Sequence, residues 1–140
     1  MQLSVVIPTL NEALSLPTLL NQLNAQSIRA EMQILVSDGG STDATIDLAQ
    51  PAADRVISSS PGRSNQLNAA VQATTSNYLL FLHADSRIQD AYLLERALEH
   101  LTRYNKGDHR HAGHFRLQFT DAKPSLLYRY MQAKTALNRP

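Results

Sequence analysis

Two kinds of segment alternate along the chain. Short apolar, β-branched runs stand at Leu3–Ile7 (LSVVI), Met32–Ser37 (MQILVS) and Tyr78–His83 (YLLFLH), with a weaker one at Arg55–Ser58 (RVIS). Runs with no polar face predict strands covered on both sides, as in a parallel sheet, and Tyr78–His83 reads as a central one. Between the runs, apolar residues recur at steps of three and four, the period of a helix. Leu16, Leu19, Leu20 and Leu23 make one stripe. Leu67, Ala70, Val71 and Thr74 make another, and Leu93, Leu94, Ala97, Leu98 and Leu101 a third.

Punctuation residues set the expected limits. Pro8 has no N–H to give a ladder and is expected to end the first strand. The first helix opens at Asn11-Glu12, or is delayed to about Pro17, which a first turn tolerates. Further helices are expected over Ala44–Gln50, closed by Pro51, over Arg63–Ala73 and over Asp90–Tyr104. Ser41, Thr42 or Asp43 is placed to cap the second. After the polar loop Asn105–His111, His114–Phe119 alternates like a half-buried strand, and Ser125–Leu137 carries a last helical stripe. Strand and helix repeated in this order predict an α/β fold, a Rossmann-like, mostly parallel sheet flanked by helices.

Composition narrows the class. The 140 residues, 43% hydrophobic, suffice for one domain with a core, and no repeat or linker divides them. The absence of cysteine excludes disulfides, thiol catalysis and Cys-based zinc sites. No apolar run approaches the roughly 20 residues that cross a bilayer, and no leader-like segment opens the chain, so the cytoplasm is the expected compartment. Charge is uneven. Residues 1–102 hold 5 Lys/Arg against 10 Asp/Glu, and residues 103–140 hold 8 against 2. The basic end suggests an anionic partner, such as phosphate or the inner face of a membrane, against the plainer alternative of a solvated helix face. Few aromatics interleave with these charges, so no nucleic-acid role is expected.

Polar clusters end three of the strands: Pro8-Thr9-Leu10-Asn11-Glu12, Asp38-Gly39-Gly40-Ser41-Thr42-Asp43, and His83-Ala84-Asp85. A fourth, Pro61-Gly62-Arg63 with Asn65, Gln66 and Asn68, opens a helix. In a parallel sheet such ends converge on one crevice. A helix start beside an arginine suits phosphate. A carboxylate at the same rim repels phosphate unless a hard cation, Mg²⁺ or Mn²⁺, lies between, which points to Asp85 as its ligand. His83 is either a second ligand, a donor to phosphate, or a residue that only ends its strand. Asp43 reads as a helix cap. His109, His111 and His114 lack a fixed fourth ligand for zinc.

SVVIPTLNE, VSDGGSTDAT, PGRSNQLNAA and YLLFLHADS, in that order, resemble successive motifs of the family-two glycosyltransferases, which have the GT-A fold. The resemblance covers about Leu3 to Ser86, more weakly Gly113 to Phe119, and is nearest a bacterial subgroup with LHAD in place of a doubly acidic motif. It implies an inverting, metal-dependent transfer of sugar from a nucleoside diphosphate to an acceptor hydroxyl on a lipid or glycan. Pro8, Thr9 and Glu12 would line the base and ribose pocket, with Asn11 supporting the turn. Asp38 would accept a hydrogen bond from the base edge, and Gly39, Gly40 and Ser41 would let the backbone close on the nucleoside. Arg63 and Asn68 would face the diphosphate or sugar. Asp85, next to Ala84, would ligate Mg²⁺ or Mn²⁺, with His83 a second candidate. The family's general base lies in a later segment; Asp121 sits in a turn-like context, and no catalytic residue is identified in this chain. Residues 1–102 are expected to form the donor-binding core of a C-terminally incomplete domain, and 103–140 a basic strand–helix extension. The rivals are a non-catalytic nucleotide-binding module and a nucleotidyltransferase. PTLNE is not the Gly-rich, basic signature the latter shows after its first strand. A flavodoxin-like domain would want paired acids there.

Overall fold

The computed structural model describes residues 2–104 and Phe115. Met1–His100 forms a compact unit, and the sheet lies within it. Four parallel strands, β1 (Leu3–Thr9), β2 (Met32–Asp38), β3 (Arg55–Ser58) and β4 (Tyr78–Phe81), stand in the order β3-β2-β1-β4. The helices are α1 (Leu16–Asn24), α2 (Thr45–Ala49), α3 (Arg63–Gln72) and α4 (Leu93–Tyr104). The chain builds outward from β1 to β3, then returns to lay β4 on the other side of β1. In an open α/β sheet this reversal leaves a crevice beyond the carboxyl ends of the strands.

The central pair is β1 and β2, in register from Leu3 opposite Met32 to Thr9 opposite Asp38. Val5, Val6, Ile7, Ile34, Leu35 and Val36 are fully buried. With Leu16, Leu19, Leu20 and Leu23 of α1, they form the core. Each such side chain contributes about 1.5–3 kcal/mol on burial, so this local pattern carries much of the stability. The C-terminal end of α1 then fixes the approach to α4. Gln22 Oε1 accepts the Ile88 N–H at 2.7 Å, and Gln26 Nε2 donates to the Asp90 carbonyl at 3.0 Å.

Several expectations change. Tyr78–His83 was expected to be a central strand, but β4 ends at Phe81 and pairs only with β1 among the described residues. Its burial alternates, and Leu79 and Phe81 are 39% and 47% exposed. Pro8 does not end β1. Val6 accepts the Leu82 N–H on the β4 side, and Thr9 accepts the Gly39 N–H on the β2 side. Strand alternation therefore turns the Pro8 nitrogen toward the β4 side, past the last residue of β4, where no ladder bond is lost. The delayed start of α1 is the one observed, with Pro17 in its first turn. On α3, Gln66 and Ala70 are buried while Val71 is 36% exposed, so the stripe read through Leu67 and Val71 is rotated. Asp90 precedes α4, and its carboxylate accepts the Tyr92 N–H at 2.9 Å. The strand expected at His114–Phe119, apart from Phe115, lies outside the described residues, as do the Ser125–Leu137 helix, Asp121 and the His109–His114 cluster. Among the described residues, no helix is long and apolar enough to cross a membrane.

Candidate functional site

The carboxyl ends of β1 and β2 are stitched together side chain by side chain. Asp38 is 1% exposed at the last position of β2. Its Oδ1 accepts the Thr9 hydroxyl at 2.9 Å and the Ser41 hydroxyl at 2.5 Å, and its Oδ2 accepts the N–H groups of Gly40 at 2.9 Å and Ser41 at 2.8 Å. Burial alone would raise this carboxyl. The hydrogen bonds from Ser41, Gly40 and Thr9 outweigh it and hold the carboxyl below its ordinary value. A carboxylate offers about four acceptor positions. The turn occupies them all, so Asp38 shapes the turn after β2, and any further donor would have to displace one of these.

The loops after β1 and β2 interlock beyond Asp38. Asn11 adopts a left-handed backbone, φ 55°, which Asn tolerates better than most residues. Its N–H donates to Ser41 Oγ at 2.8 Å, and its Oδ1 accepts the Thr42 N–H at 2.9 Å. The Glu12 N–H donates to Thr45 Oγ1 at 2.8 Å, and the Ala13 N–H to Asp43 Oδ2 at 3.2 Å. Asp43 also accepts the Thr45 hydroxyl and N–H, which hold its carboxyl below the ordinary value. It thus braces the start of α2 and ties it to the first loop. Gly40 has φ 98° and needs glycine for conformation. Gly39 needs it for space: a Cβ there would stand 3.0 Å from Gln66 Nε2.

Across the sheet's reversal point lie Arg63, at the start of α3, and the segment after β4. Arg63 Nη2 is 3.2 Å from His83 Nδ1. A guanidinium only donates, so this contact is a hydrogen bond when His83 Nδ1 accepts, which assigns the ring proton to Nε2. In this arrangement Nδ1 is not offered to a cation, and Nε2–H is a donor. Ala84 is buried, and the Ser86 N–H closes a turn on the His83 carbonyl at 3.0 Å. Asp85 and Asn68 are exposed. Arg87 bonds the Asp85 backbone carbonyl at 3.1 Å, and among the described residues no hydrogen bond or ion pair engages the carboxylate.

Among the described residues no three His, Asp, Glu or Cys side chains cluster as a ready-made metal cage. A single unengaged carboxylate still fits a Mg²⁺-type ion, which keeps waters and takes its other ligands from substrate phosphates. Pro8, Thr9, Asn11, Glu12 and Asp38–Ser41 thus stand on one side of the rim, and Arg63, His83 and Asp85 at the other strand end. Sequence reasoning placed Gln66 in the polar cluster that opens the helix but gave it no role of its own; its partners, the Thr9 and Ser37 carbonyls, come from distant strands.

Comparisons with known proteins agree with this architecture. The family model described as glycosyl transferase family 2 matches residues 4–134. A PGL/p-HBAD biosynthesis glycosyltransferase of Mycobacterium bovis is 33% identical over 112 residues, which is 75% of this chain and 43% of that protein. The chain therefore spans under half the length of that relative. Among solved structures, S. aureus TarS 1–349 in complex with UDP-GlcNAc superimposes with a TM-score of 0.64 at 26% identity, covering 74% of this chain and 32% of that one. Glucosyl-3-phosphoglycerate synthase from Mycobacterium tuberculosis, in complex with Mn²⁺, UDP and glucosyl-3-phosphoglycerate, gives 0.52 at 25% identity, covering 59% and 33%. These neighbours are GT-A glycosyltransferases, and the parallel sheet seen here is of that class. With its family model matched along nearly the whole length and its strand-end motifs folded onto one rim, the chain belongs to glycosyl transferase family 2.

Proposed function

We propose that this chain is the nucleotide-sugar-binding part of an inverting, metal-dependent glycosyltransferase that uses a uridine diphosphate sugar. The observation that carries this is the rim itself. Interlocked β1 and β2 loops form a rigid nucleoside ledge, and Arg63, His83 Nε2–H and an unengaged Asp85 carboxylate stand across the reversal point. The solved relatives hold UDP or UDP-GlcNAc, and one holds Mn²⁺ as well, which supports the same ligand class here.

In this scheme Thr9, Asn11 and Glu12 line one wall of the base and ribose site, and the backbone of Gly39, Gly40 and Ser41 forms the other. Arg63 and His83 Nε2–H donate to the diphosphate, and Asn68 lies one helical turn beyond, toward the sugar. Asp85 would hold Mg²⁺ or Mn²⁺, which as a Lewis acid neutralises the departing diphosphate. Donors fixed before the reaction favour the charge that builds on the leaving oxygen as the sugar–phosphate bond breaks. A hydroxyl attacking from the opposite face, its proton passing to a general base, forms the new bond as the sugar–phosphate bond breaks; this inverts the anomeric centre and needs no protein nucleophile. The compact unit Met1–His100 supports taking residues 1–102 as the donor-binding part. The basic composition of 103–140 supports contact with an anionic membrane face on the cytoplasmic side, where a lipid or glycan hydroxyl is the acceptor.

Calorimetry with UDP tests this. Affinity is expected to fall at least about tenfold when EDTA replaces Mg²⁺, because an uncompensated carboxylate then faces phosphate. Asp85→Asn is expected to remove that difference and to abolish protein-bound Mn²⁺ seen by paramagnetic resonance. Equal UDP affinity in chelator removes the metal from the scheme, and no binding of any nucleoside diphosphate removes the donor site.

A further inference from the structure

Gln66 lies in the first turn of α3, is 5% exposed, and has no place in the base, phosphate or metal contacts above. Its Nε2 donates to the Thr9 carbonyl at 2.6 Å and to the Ser37 carbonyl at 3.0 Å. A primary amide has two N–H hydrogens, and here both are used, one on the end of each central strand. The rest of the helix start lacks such an anchor. Its N-cap is Gly62, which supplies no side-chain cap, and among the described residues Asn65 bonds only the nearby Pro61 carbonyl. Arg63 is one turn before Gln66, and its guanidinium reaches His83 at the other strand end. Gly39 completes the arrangement, because a methyl there would meet Nε2 at 3.0 Å and Cδ at 3.1 Å.

We propose that Gln66 is a positioning residue: its amide fixes the start of α3 against the ends of β1 and β2, and so sets where Arg63 meets the donor's diphosphate. This rests on the donor site proposed above. It makes Gly39 and Gln66 a coupled pair, one vacating the space that the other fills. It also separates two parts of the rim: the nucleoside ledge holds itself together through Asp38 and Asn11, whereas the phosphate side depends on Gln66.

The test is a set of titrations with UDP and with uridine, in Mg²⁺, on the whole chain as wild type, Gln66→Met, Arg63→Ala and the double variant. Gln66→Met is expected to weaken UDP binding by about tenfold, the scale of a buried hydrogen bond to a charged site displaced, while uridine binding stays within about twofold. In the Arg63→Ala background it is expected to add nothing, since the group it positions is gone. Equal losses for UDP and uridine, or full additivity with Arg63→Ala, overturn the inference. If Gln66→Met does not melt as a folded protein, Gln66→Asn keeps an amide but withdraws it by one methylene from the Thr9 and Ser37 carbonyls. It must then give the UDP-selective loss in the wild-type chain and no further UDP loss in Arg63→Ala, or the inference fails. A wild-type chain that binds no UDP overturns the donor site, and this inference with it.

Discussion

Replacing Asp38 by asparagine probes the turn after β2, on which the proposed nucleoside ledge depends. The shape is kept, but one oxygen becomes an NH₂ group. With two backbone N–H groups aimed at Oδ2, the amide must turn its oxygen toward Gly40 and Ser41. Its NH₂ then faces the hydroxyls of Thr9 and Ser41, which must reverse to accept. Ser41 Oγ already accepts the Asn11 N–H, so its own proton is left without its partner. Hydrogen bonds to a charged group contribute about 1.5–3 kcal/mol each and neutral ones about 0.5–1.5, so four bonds weakened together should cost roughly 3 kcal/mol, allowing for relaxation. The pH dependence fixes the sign. The folded carboxyl lies below its unfolded value, so its contribution is present above the unfolded pKa, near about 3.9, and is lost as pH falls through the folded one. Urea unfolding at neutral pH should therefore show the full difference between wild type and Asp38→Asn, and the difference should narrow in acid. A cost below about 1 kcal/mol at neutral pH, or a difference that does not change in acid, would refute the assignment of Asp38 to the turn.

Two further variants separate conformation from contact. Asn11→Ala loses the acceptor for Thr42 and places alanine at φ 55°, so it should cost about 2 kcal/mol in urea unfolding, whereas Asn11→Gly should cost about half as much; equal costs would mean the left-handed backbone contributes nothing. Ser37→Ala should leave stability unchanged or raise it by up to about 1 kcal/mol, because the buried Ser37 hydroxyl has no partner among the described residues; a loss above that size, seen as a lowered melting temperature, would show that the hydroxyl is bonded.

The local pattern was legible. Leu16, Leu19, Leu20 and Leu23 were read as one buried face and all are buried. The runs at Leu3 and Met32 are the two central strands, and the polar clusters that follow them stand at the carboxyl ends. In the turn after β2, Gly40 takes a positive φ and Gly39 does not. Such features depend on residues within a few positions of one another, where period and turn chemistry decide the outcome. Among the described residues Tyr78–Phe81 pairs with β1 alone; an apolar run reports only that burial is favourable, not which neighbours a strand finds. Pro8 was misjudged for a related reason: a missing N–H disrupts a ladder only if a partner faces it, and that depends on where β4 stops.

By itself, then, the sequence determined the alternation of strand and helix, the leucine face of α1, and the clusters of Asp, Asn, Ser, Arg and His at the strand ends. Tertiary structure decided what each of those groups touches. Asp38 turned inward because Thr9, 29 residues away, was brought beside it. Gln66, 57 residues from Thr9, donates to the ends of both central strands from a helix start the sequence marks only as polar. Gly39 proved necessary because that amide occupies the volume a side chain would take. The physical reason is common to all three. Chain-local preferences set backbone conformation, but a hydrogen bond between distant residues exists only after the strands have chosen their order and register.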